Sequence, residues 1–218
     1  MRSNNYSTPD LAYERIFWRD GYYHVGGIDE AGRGAWAGPV FVAVVVLSDN
    51  DSNSMFLGNV RDSKQMTPTQ RDKWRPLIQS YCLDWGVDYA TNDEIDSLGI
   101  VPATRLAAQR ALQKLSFAPD ALLLDYLTLP EIPISQTAMV KGDQKSLSIA
   151  AASVLAKTER DIFMRKMDEA YPGYSFQSNK GYGTHAHQQG LITQGVCRIH
   201  RVSFKPVMTI KKRHGDGV

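Results

Sequence analysis

Short apolar runs and amphipathic stretches alternate along this chain, and they predict strands and helices in a definite order. Two apolar or β-branched runs, His24 to Asp29 and Pro39 to Leu47, flank a glycine-rich turn, which is typical of a β-hairpin. Three later runs are short enough and apolar enough to predict further strands. These are Cys82 to Ala90, Ala121 to Leu124 and Thr137 to Val140.

Apolar residues at helical spacing, together with capping residues, predict the helices. The strongest helical period extends from Gln144 to about Tyr171, where Tyr171-Pro172-Gly173 ends it. Threonine caps and prolines mark the other helices, and YSFQSNKGYGT after the long helix predicts a loop. These other helices are a short one around Leu11 to Trp18, one from Thr67 to about Ser80, one starting within Thr91 to Leu98, an amphipathic stretch from Pro102, and His185 to Thr193 capped by Thr184.

The order of these elements predicts an α/β fold. Two adjacent strands come first, and helix-linked strands and a long helix follow, which favours a mixed sheet with helices packed against it. The chain has 218 residues, of which 43% are hydrophobic and 22% charged. This size and composition suit one fairly large domain, with or without a helical appendage.

Composition argues against a membrane protein and against a disulfide framework. No apolar run approaches the roughly 20 residues of a membrane span, and MRSNNYSTPD at the N-terminus lacks the apolar core of a signal peptide. We therefore expect a soluble, cytoplasmic protein without a membrane partner. The two cysteines, Cys82 and Cys197, lie far apart without metal-ligand spacing, so reduced thiols are expected.

Charge is nearly balanced overall but unevenly distributed. The formal net charge is +2, which is weak support for a polyanionic partner. Positive side chains gather in the last third, where clustering can follow a phosphate backbone. For Lys211 to Val218 a solvated, partly disordered tail is the preferred interpretation. The other residues of this basic set are Lys180, Arg198, His200, Arg201 and Lys205.

Four carboxylates, Asp29, Glu30, Asp125 and Asp143, fall at predicted strand ends or just beyond them. Clustered like charges raise one another's pKa values, so a fold tolerates them only beside something positive, usually a divalent metal. Hard oxygen ligands with open water positions favour Mg²⁺ or Mn²⁺ over zinc. Two such ions about 4 Å apart can promote phosphodiester hydrolysis.

Each carboxylate also has a structural interpretation. Asp29 and Glu30 could solvate a turn, and Asp143 could be the N-cap of the long helix, an interpretation of equal weight. For Asp125 the structural interpretation is weaker, because a carboxylate that ends an apolar strand is costly without a partner. Successive strand residues point to opposite faces, so Glu30 must lie at a strand end or bulge to share a metal with Asp29.

Seven ordered segments of the chain resemble type 2 ribonuclease H, the ribonuclease HII family. Together they cover most of residues 21 to 207 in the family's order, which is far more specific than any single motif. The segments are GIDEAGRGAWAGPV at 27 to 40, RDSKQMTPTQR at 61 to 71, LLLDY at 122 to 126, KGDQKSLSIAAASVLAKTERD at 141 to 161, YPGYSF at 171 to 176, NKGYGTHAH at 179 to 187 and HRVSFKPV at 200 to 207.

The resemblance implies a ribonuclease H-like mixed five-stranded sheet flanked by helices, with a C-terminal helical extension. It implies dependence on Mg²⁺ or Mn²⁺, with two ions during catalysis, and assigns both catalysis and metal binding to Asp29, Glu30, Asp125 and Asp143. The implied substrates are RNA/DNA hybrids and duplex DNA with embedded single ribonucleotides. Cleavage would fall on the 5′ side of the ribonucleotide and leave a 3′-hydroxyl and a 5′-phosphate, and a monomer is expected.

The resemblance also assigns substrate contacts. Gly32, Arg33 and Gly34 resemble the family's ribonucleotide sensor, whose backbone approaches the sugar and hydrogen-bonds the 2′-hydroxyl. Tyr182 resembles the tyrosine that packs on the following deoxyribose. Without the resemblance, Tyr182 would be interpreted as a loop aromatic packed on its neighbouring glycines.

Two lysines are further candidates for substrate binding. Lys64, in the DSK sequence, and Lys180 are assigned here as possible phosphate contacts, although a solvated lysine is the default interpretation of either. His185, His187 and His200 are left out of the catalytic set, because hydrolysis that depends on metal ions needs no histidine base.

The chain departs from the family pattern in two places. Tyr126-Leu127 is bulkier than the glycine or alanine common after the strand-ending aspartate, and Trp36 occupies a position that is often smaller. Both could alter rate or substrate preference without changing the class of reaction.

The expected organisation has four parts: an N-terminal extension (1–20), a catalytic domain (21–170), a C-terminal substrate-binding region (171–210) and a basic tail (211–218). Two rival functions stay open. One is a catalytically silent nucleic-acid-binding module with the same fold, and the other is a glycosidase that uses Asp29 and Asp125 as an acid/base pair. Metal dependence would distinguish these functions.

Overall fold

A computed structural model describes residues 8–49 and 56–215, and in this part of the chain five strands form one sheet. The strands are β1 (Val25–Ala31), β2 (Val40–Leu47), β3 (Asp84–Ala90), β4 (Ala121–Asp125) and β5 (Ser135–Met139). Their order across the sheet is β3-β2-β1-β4-β5. This architecture confirms the predicted mixed five-stranded sheet flanked by helices.

The strand directions bring two of the candidate carboxylates to the same edge. β1 and β2 pair antiparallel as the predicted hairpin, whereas β1 and β4 pair parallel, with Ile28 opposite Leu124. β4 and β5 are also parallel, and β2 and β3 are antiparallel. Ile28 and Leu124 form the last pair between β1 and β4. Because parallel strands end at the same edge of a sheet, the next residues, Asp29 and Asp125, lie side by side at that edge.

Helices cover both faces of the sheet and continue at the C-terminus. Two short 3₁₀ helices, Ser63–Gln65 and Gly142–Gln144, lie near the carboxyl ends of β1 and β4. The α-helices include α1 (Ala12–Arg19), α2 (Pro68–Tyr81), α3 (Asn92–Leu98), α4 (Ile100–Gln113), α5 (Leu147–Ala170), α6 (Phe176–Asn179), α7 (His185–Gln194) and α8 (Lys205–Gly215).

Helix boundaries agree with the capping residues more closely than with the apolar periodicity. Thr67 and Thr91 each form a reciprocal capping box, with Gln70 and Glu94 respectively, at the predicted starts of α2 and α3. Thr184 caps α7 as predicted. The long helix begins at Leu147, later than predicted, because the preceding residues form the 3₁₀ helix.

Three predictions about the C-terminal half were wrong in detail. The loop predicted after the long helix contains α6, a single helical turn. β5 begins at Ser135, two residues before the predicted start, because its first residues are polar. The predicted tail is helical as far as Gly215, in α8, and its last residues, 216–218, lie outside the described part of the chain.

Alternate residues of β2 face two separate apolar layers. Ala43 and Val45 pack in a core with α5, whereas Val42 and Val44 pack on the other face with α4. On the first face α5 crosses β1 closely, since an ideal Cβ on Gly27 would lie 2.3 Å from a backbone carbon of α5. The long helix is therefore held against the strand that carries Asp29. No helix among the described residues is both long and apolar enough to cross a membrane.

Candidate active site

Three carboxylates meet at the carboxyl ends of β1 and β4. One oxygen from each of Asp29, Asp125 and Asp143 lies within 4.8 Å of the others. Asp29 comes from β1, Asp125 is the last residue of β4, and Asp143 lies in the 3₁₀ helix that precedes α5. Asp29 and Asp143 are buried. We refer to these three side chains as the carboxylate cluster.

A glycine allows the segment with Asp143 to approach β4. The backbone N–H of Gly142 donates a 2.8 Å hydrogen bond to Oδ1 of Asp125. An ideal Cβ on Gly142 would lie 2.7 Å from Cδ1 of Ile149 and 2.9 Å from Cγ of Met139, so a larger residue would push the segment outward. Glycine at this position therefore keeps Asp143 beside Asp125.

The interpretation of Asp143 as the N-cap of the long helix is wrong. Ser146 has that position, and its hydroxyl oxygen accepts a hydrogen bond of 3.2 Å from the backbone N–H of Ile149. Asp143 is thus not required for capping, and its carboxylate is buried next to two other acids. A buried carboxylate of this kind needs another explanation.

Burial and mutual repulsion perturb the acids of the cluster. Burial, together with the nearby charges of Glu30 and Asp125, holds the pKa of Asp29 well above its ordinary value. Burial raises the pKa of Asp143 to about 7, with further contributions from Asp62 and Asp125. The cluster is therefore short of positive charge, and a bound cation would offset the repulsion.

These donors fit a hard divalent cation. All three ligand atoms are carboxylate oxygens, without sulfur or imidazole nitrogen, and their mutual separation suits a shared ion. This is the one such group of acidic, histidine or cysteine side chains across residues 8–49 and 56–215. The residues thus fit Mg²⁺ or Mn²⁺ better than zinc.

Glu30 lies beside the cluster but outside it. It is the last residue but one of β1 and pairs regularly with Val42, so it is near the strand end and not in a bulge. Its Oε1 accepts a hydrogen bond of 3.2 Å from Nη1 of Arg33. Burial raises the pKa of Glu30, and the charge of Arg33 opposes that rise. Glu30 thus links the acidic site to the glycine-rich turn.

A cleft of about 510 Å³ opens beside the cluster and gathers most of the predicted substrate residues. Lys64 lies at the junction, with Nζ 3.9 Å from Oδ2 of Asp143 and a side chain that is 75% exposed. Burial alone would lower the pKa of Lys64, but the surrounding acids raise it overall. The cleft is lined by Glu30, Ala31, Gly32, Arg33, Gly34, Ser63, Lys64, Lys157 and Tyr182.

The two glycines of the turn have different environments. Gly32 has a φ of +97°, and an ideal Cβ there would lie 1.9 Å from Nε of Arg160, so both conformation and packing require glycine. Gly34 is exposed, and a Cβ there would meet nothing within 4 Å. Packing therefore does not require glycine at position 34. The absence of a side chain there leaves open space on the side of the cleft.

The remaining candidates, Tyr182 and Lys180, are placed differently from each other. Tyr182 is 37% exposed and lines the cleft, with its ring centroid 5.4 Å from Cζ of Arg160. Lys180 does not line the cleft, and its ammonium donates a hydrogen bond to the backbone carbonyl of Gln177. The structure therefore gives Lys180 a local contact instead of a position facing the site.

Sequence reasoning missed several charged residues around the site. Asp62 is buried and its Oδ1 accepts the backbone N–H of Lys64 at 2.9 Å. Lys157 lines the cleft and bonds Asp161 at 2.6 Å. Arg160 is fully buried behind the turn. The sequence signal was available, because these residues lie in the segments RDSK and AKTERD.

The basic residues of the last third do not form one surface. His200 and Arg201 are buried, so they cannot follow a phosphate backbone as the clustering suggested. His187 and His200 form a buried pair with 3.0 Å between their Nε2 atoms, whereas His185 is exposed. None of the three histidines lines the cleft.

Comparisons with known proteins relate this chain to one family. The family model described as Ribonuclease HII matches residues 26–207. A protein of Chloroflexus aurantiacus named Ribonuclease HII is 47% identical over 92% of this chain and 95% of its own length. The crystal structure of ribonuclease H2 from Pyrococcus horikoshii has a TM-score of 0.73 and 25% identity, covering 89% of this chain and all of that one.

A more distant structure shares the fold alone. The structure titled Bst-RNase HIII in complex with Mn²⁺ has a TM-score of 0.66 at 20% identity, over 88% of this chain and 71% of that one. The matched family model includes all of β1 but its first residue, the turn at Gly32, β4 and the 3₁₀ helix with Asp143. The chain therefore belongs to the ribonuclease HII family.

Proposed function

We propose that this protein is a metal-dependent endoribonuclease that cleaves the RNA strand of RNA/DNA hybrids and duplex DNA containing single ribonucleotides. Its family supports ribonuclease H activity. The cut would fall on the 5′ side of the ribonucleotide and leave a 3′-hydroxyl and a 5′-phosphate. The observation that carries the proposal is the carboxylate cluster beside a cleft lined by the Gly32 turn and Tyr182.

Asp29, Asp125 and Asp143 would hold Mg²⁺ or Mn²⁺, and Glu30 would complete the ligand set, with two ions present during catalysis. When bound, the ions supply positive charge that stabilises the developing charge of phosphodiester hydrolysis. The protein contributes a rigid arrangement of donors, because each acid lies on a strand end or on a turn packed against β4. Removal of one acid should therefore affect catalysis far more than stability.

The cleft residues would bind and orient the nucleic acid. Exposed backbone around Gly34 can approach a ribose closely and hydrogen-bond its 2′-hydroxyl, which DNA lacks. Tyr182 would pack against the next sugar, and Lys64 and Lys157 would contact phosphates. Lys180 is a weaker candidate for phosphate binding, given its bond to Gln177.

The proposed organisation assigns catalysis to residues 21–170 and duplex binding to residues 171–210, in a monomer. The C-terminal region supports this division, because Tyr182 reaches the cleft from it. In the cytoplasm such an enzyme would act on ribonucleotides left in DNA or on RNA primers.

The decisive experiment offers the protein a DNA duplex that contains one ribonucleotide, with Mg²⁺, Mn²⁺ or chelator. We expect cleavage with metal and none with chelator. Asp29→Asn and Asp125→Asn should each lower the rate by about 10³-fold or more, because each removes a ligand from a preorganised site. Asp72→Asn, an exposed carboxylate on α2, is the matched control and should keep the wild-type rate.

The same assay tests the rival functions. A silent binding module would bind the duplex without cutting it under any metal condition. A glycosidase would need no divalent ion, and the presence of Arg33 and Tyr182 in the cleft would be unexplained. Equal cleavage of an all-DNA duplex would refute the assignment of ribose recognition to Gly32 to Gly34.

A further inference from the structure

A buried arginine connects the two segments that contact the cleft. Arg160, from α5, is 0% exposed and donates three hydrogen bonds to backbone carbonyls. Nε bonds Pro39 at 3.0 Å and Nη2 bonds Ala37 at 3.1 Å, both in the loop that follows the glycine-rich turn. Nη1 bonds Lys180 at 2.8 Å, two residues before Tyr182.

The same guanidinium also contacts the recognition residues themselves. Gly32 lies directly against it, since an ideal Cβ there would be 1.9 Å from Nε. On the other side, the ring of Tyr182 lies 5.4 Å from Cζ, within the range of a cation–π contact. The turn and the tyrosine therefore lie on either side of one side chain, the guanidinium of Arg160.

A second buried arginine holds the same loop from the C-terminal region. Arg201 donates from Nε to the carbonyl of Gly38 and from Nη1 to that of Arg33, both at 2.9 Å. It does not bond the segment around Tyr182 through any hydrogen bond found among the described residues. Of the two buried arginines, Arg201 therefore bonds the turn and its loop alone, whereas Arg160 bonds both segments.

The cost of burying Arg160 argues for a role beyond filling space. Burial of a charged group is unfavourable by several kcal/mol unless hydrogen bonds and opposite charges compensate, and an apolar side chain of similar volume would avoid that cost. Here the compensation comes from carbonyls of two loops. The loops also meet directly, because the backbone N–H groups of Trp36 and Ala37 donate hydrogen bonds to the carbonyl of Gly181 at 2.7 and 3.3 Å. The hydrogen bonds of Arg160 hold both loops in position. The positions of these loops determine which sugars the cleft can distinguish.

We propose that Arg160 is a positioning residue for specificity, which couples the ribose-contacting turn to Tyr182 so that both read adjacent sugars of an RNA–DNA junction. This inference rests on the proposed function. It assigns to Arg160 no contact with substrate or with a metal ion. Its effect is to keep the 2′-hydroxyl contact and the deoxyribose contact one nucleotide apart.

The test is a double-mutant cycle with two substrates. Arg160→Lys, Tyr182→Ala and the double variant are assayed on a duplex with one ribonucleotide and on a long RNA/DNA hybrid. We expect Arg160→Lys to lower kcat/KM about 10-fold or more on the single-ribonucleotide duplex and clearly less on the hybrid. In the Tyr182→Ala background the same change should cost less than about threefold, because coupled residues are not additive.

Two controls separate positioning from general damage. Binding of Mn²⁺ alone, measured by calorimetry, should be the same in wild type and Arg160→Lys, since Arg160 does not touch the carboxylate cluster. Arg71→Lys is the matched variant, because Arg71 is also buried and bonds the carbonyls of Ser63 and Met66 and the carboxylate of Asp161, but neither recognition segment. It should affect the two substrates equally.

Several outcomes would overturn the inference. Equal losses on both substrates, or multiplicative losses in the double variant, would show that Arg160 does not couple the two segments. If Arg160→Lys is unfolded by circular dichroism, Arg160→Gln, which keeps one donor group, replaces it; unfolding of both would assign Arg160 a purely structural role. A wild-type protein inactive on both substrates with metal would instead refute the proposed function.

Discussion

At the residue scale, the carboxylate cluster brings buried negative charges together, and burial and mutual repulsion raise the pKa values of Asp29 and Asp143. Asp143 is buried beside Asp62 and Asp125, and its pKa is raised to about 7 from an ordinary value near 3.8. Protonation of Asp143 therefore favours the folded state, and this contribution to the free energy of unfolding is fully present below the pKa that Asp143 has in the unfolded chain. As pH rises from about 4 to about 7 that contribution is lost, because the unfolded chain releases its proton first.

The first prediction concerns the stability of the metal-free protein. Asp143→Asn removes the buried negative charge, so its free energy of unfolding should exceed that of wild type by on the order of 2 kcal/mol at pH 8, with a smaller excess toward pH 4. Urea unfolding in chelator at several pH values measures this difference. A constant difference across that range, or one shared by exposed Asp72→Asn, would contradict the prediction.

The second prediction concerns Tyr182, which is exposed in the cleft and packs on Arg160. Tyr182→Ala should lower kcat/KM by about 10-fold or more on a duplex with one ribonucleotide, because it removes the proposed contact that positions the following deoxyribose, and should lower activity on long hybrids less. Steady-state cleavage of both substrates is the measurement. Tyr23→Ala, which removes a tyrosine that is 77% exposed outside the cleft, is the control. Equal losses on both substrates would argue against junction sensing.

At the element scale, the N-terminal helix secures the helix that follows the site. Oε1 of Glu14, in α1, accepts hydrogen bonds from the hydroxyls of Ser146 and Ser148 at 2.6 Å and from the backbone N–H of Ser148 at 2.9 Å. The N-terminus of α5 favours an acceptor here, since its first N–H groups lack partners within the helix. Burial raises the pKa of Glu14, and the serine bonds oppose that rise.

The third prediction tests this connection. Glu14→Ala leaves two buried hydroxyls and an N–H group without their acceptor, so it should lower the free energy of unfolding by about 2–4 kcal/mol. Glu14→Gln keeps an acceptor oxygen and should lower it less. Chemical denaturation measures both, with the exposed Glu169→Ala on α5 as control. A loss for Glu14→Ala no larger than for Glu169→Ala would refute the role.

Elements whose signals are local could be predicted from the sequence. The capping boxes at Thr67 and Thr91 and the alternation in β2 depend on neighbouring residues, so the pattern located them. The start of β5 was missed because Ser135 and Gln136 are polar residues of an edge strand. The cap of α5 was ambiguous because two polar residues, Asp143 and Ser146, precede it, and only tertiary contacts separate their roles.

The candidate site was predictable to a similar degree. The carboxylates stood out by chemistry and by family resemblance, and three of them meet in the structure. Arg160 and Arg201 could not be recognised as buried, because a charged side chain is buried only when distant carbonyls satisfy it. For Arg201, the neighbouring basic residues suggested a phosphate-binding surface instead.

At the scale of the whole molecule, the C-terminal region packs around a pair of neutral histidines. Nδ1 of His187 lies 3.0 Å from the carbonyl of Tyr182 and therefore carries the proton, so its Nε2 accepts a hydrogen bond from Nε2 of His200. Nδ1 of His200 then accepts the backbone N–H of Cys197. Burial lowers the pKa of His200 to about 4, and His187 adds to this effect.

The fourth prediction is a loss of stability in acid that His200 controls. The pKa of His200 is lower in the folded protein than in the unfolded chain, so neutral His200 favours folding above about pH 6.5. This contribution to the free energy of unfolding, on the order of 3 kcal/mol, is lost as pH falls toward 4. His200→Gln should remove this part of the pH dependence in urea unfolding, whereas His185→Gln, at an exposed position, should retain it. Identical slopes for wild type and His200→Gln would contradict the prediction.

The parallel pairing of β1 with β4 has a consequence for how the chain reaches its native state. The cluster takes its acids from three distant parts of the chain, so it can exist only after that pairing and after α5 has docked against Gly27. Contacts of such long range form slowly, because the intervening chain must first be ordered. The emission of a luminescent lanthanide added during refolding would then report only molecules in which β1 and β4 have paired and the cluster has formed. Partly folded chains, which lack the cluster, would be unable to cut nucleic acid.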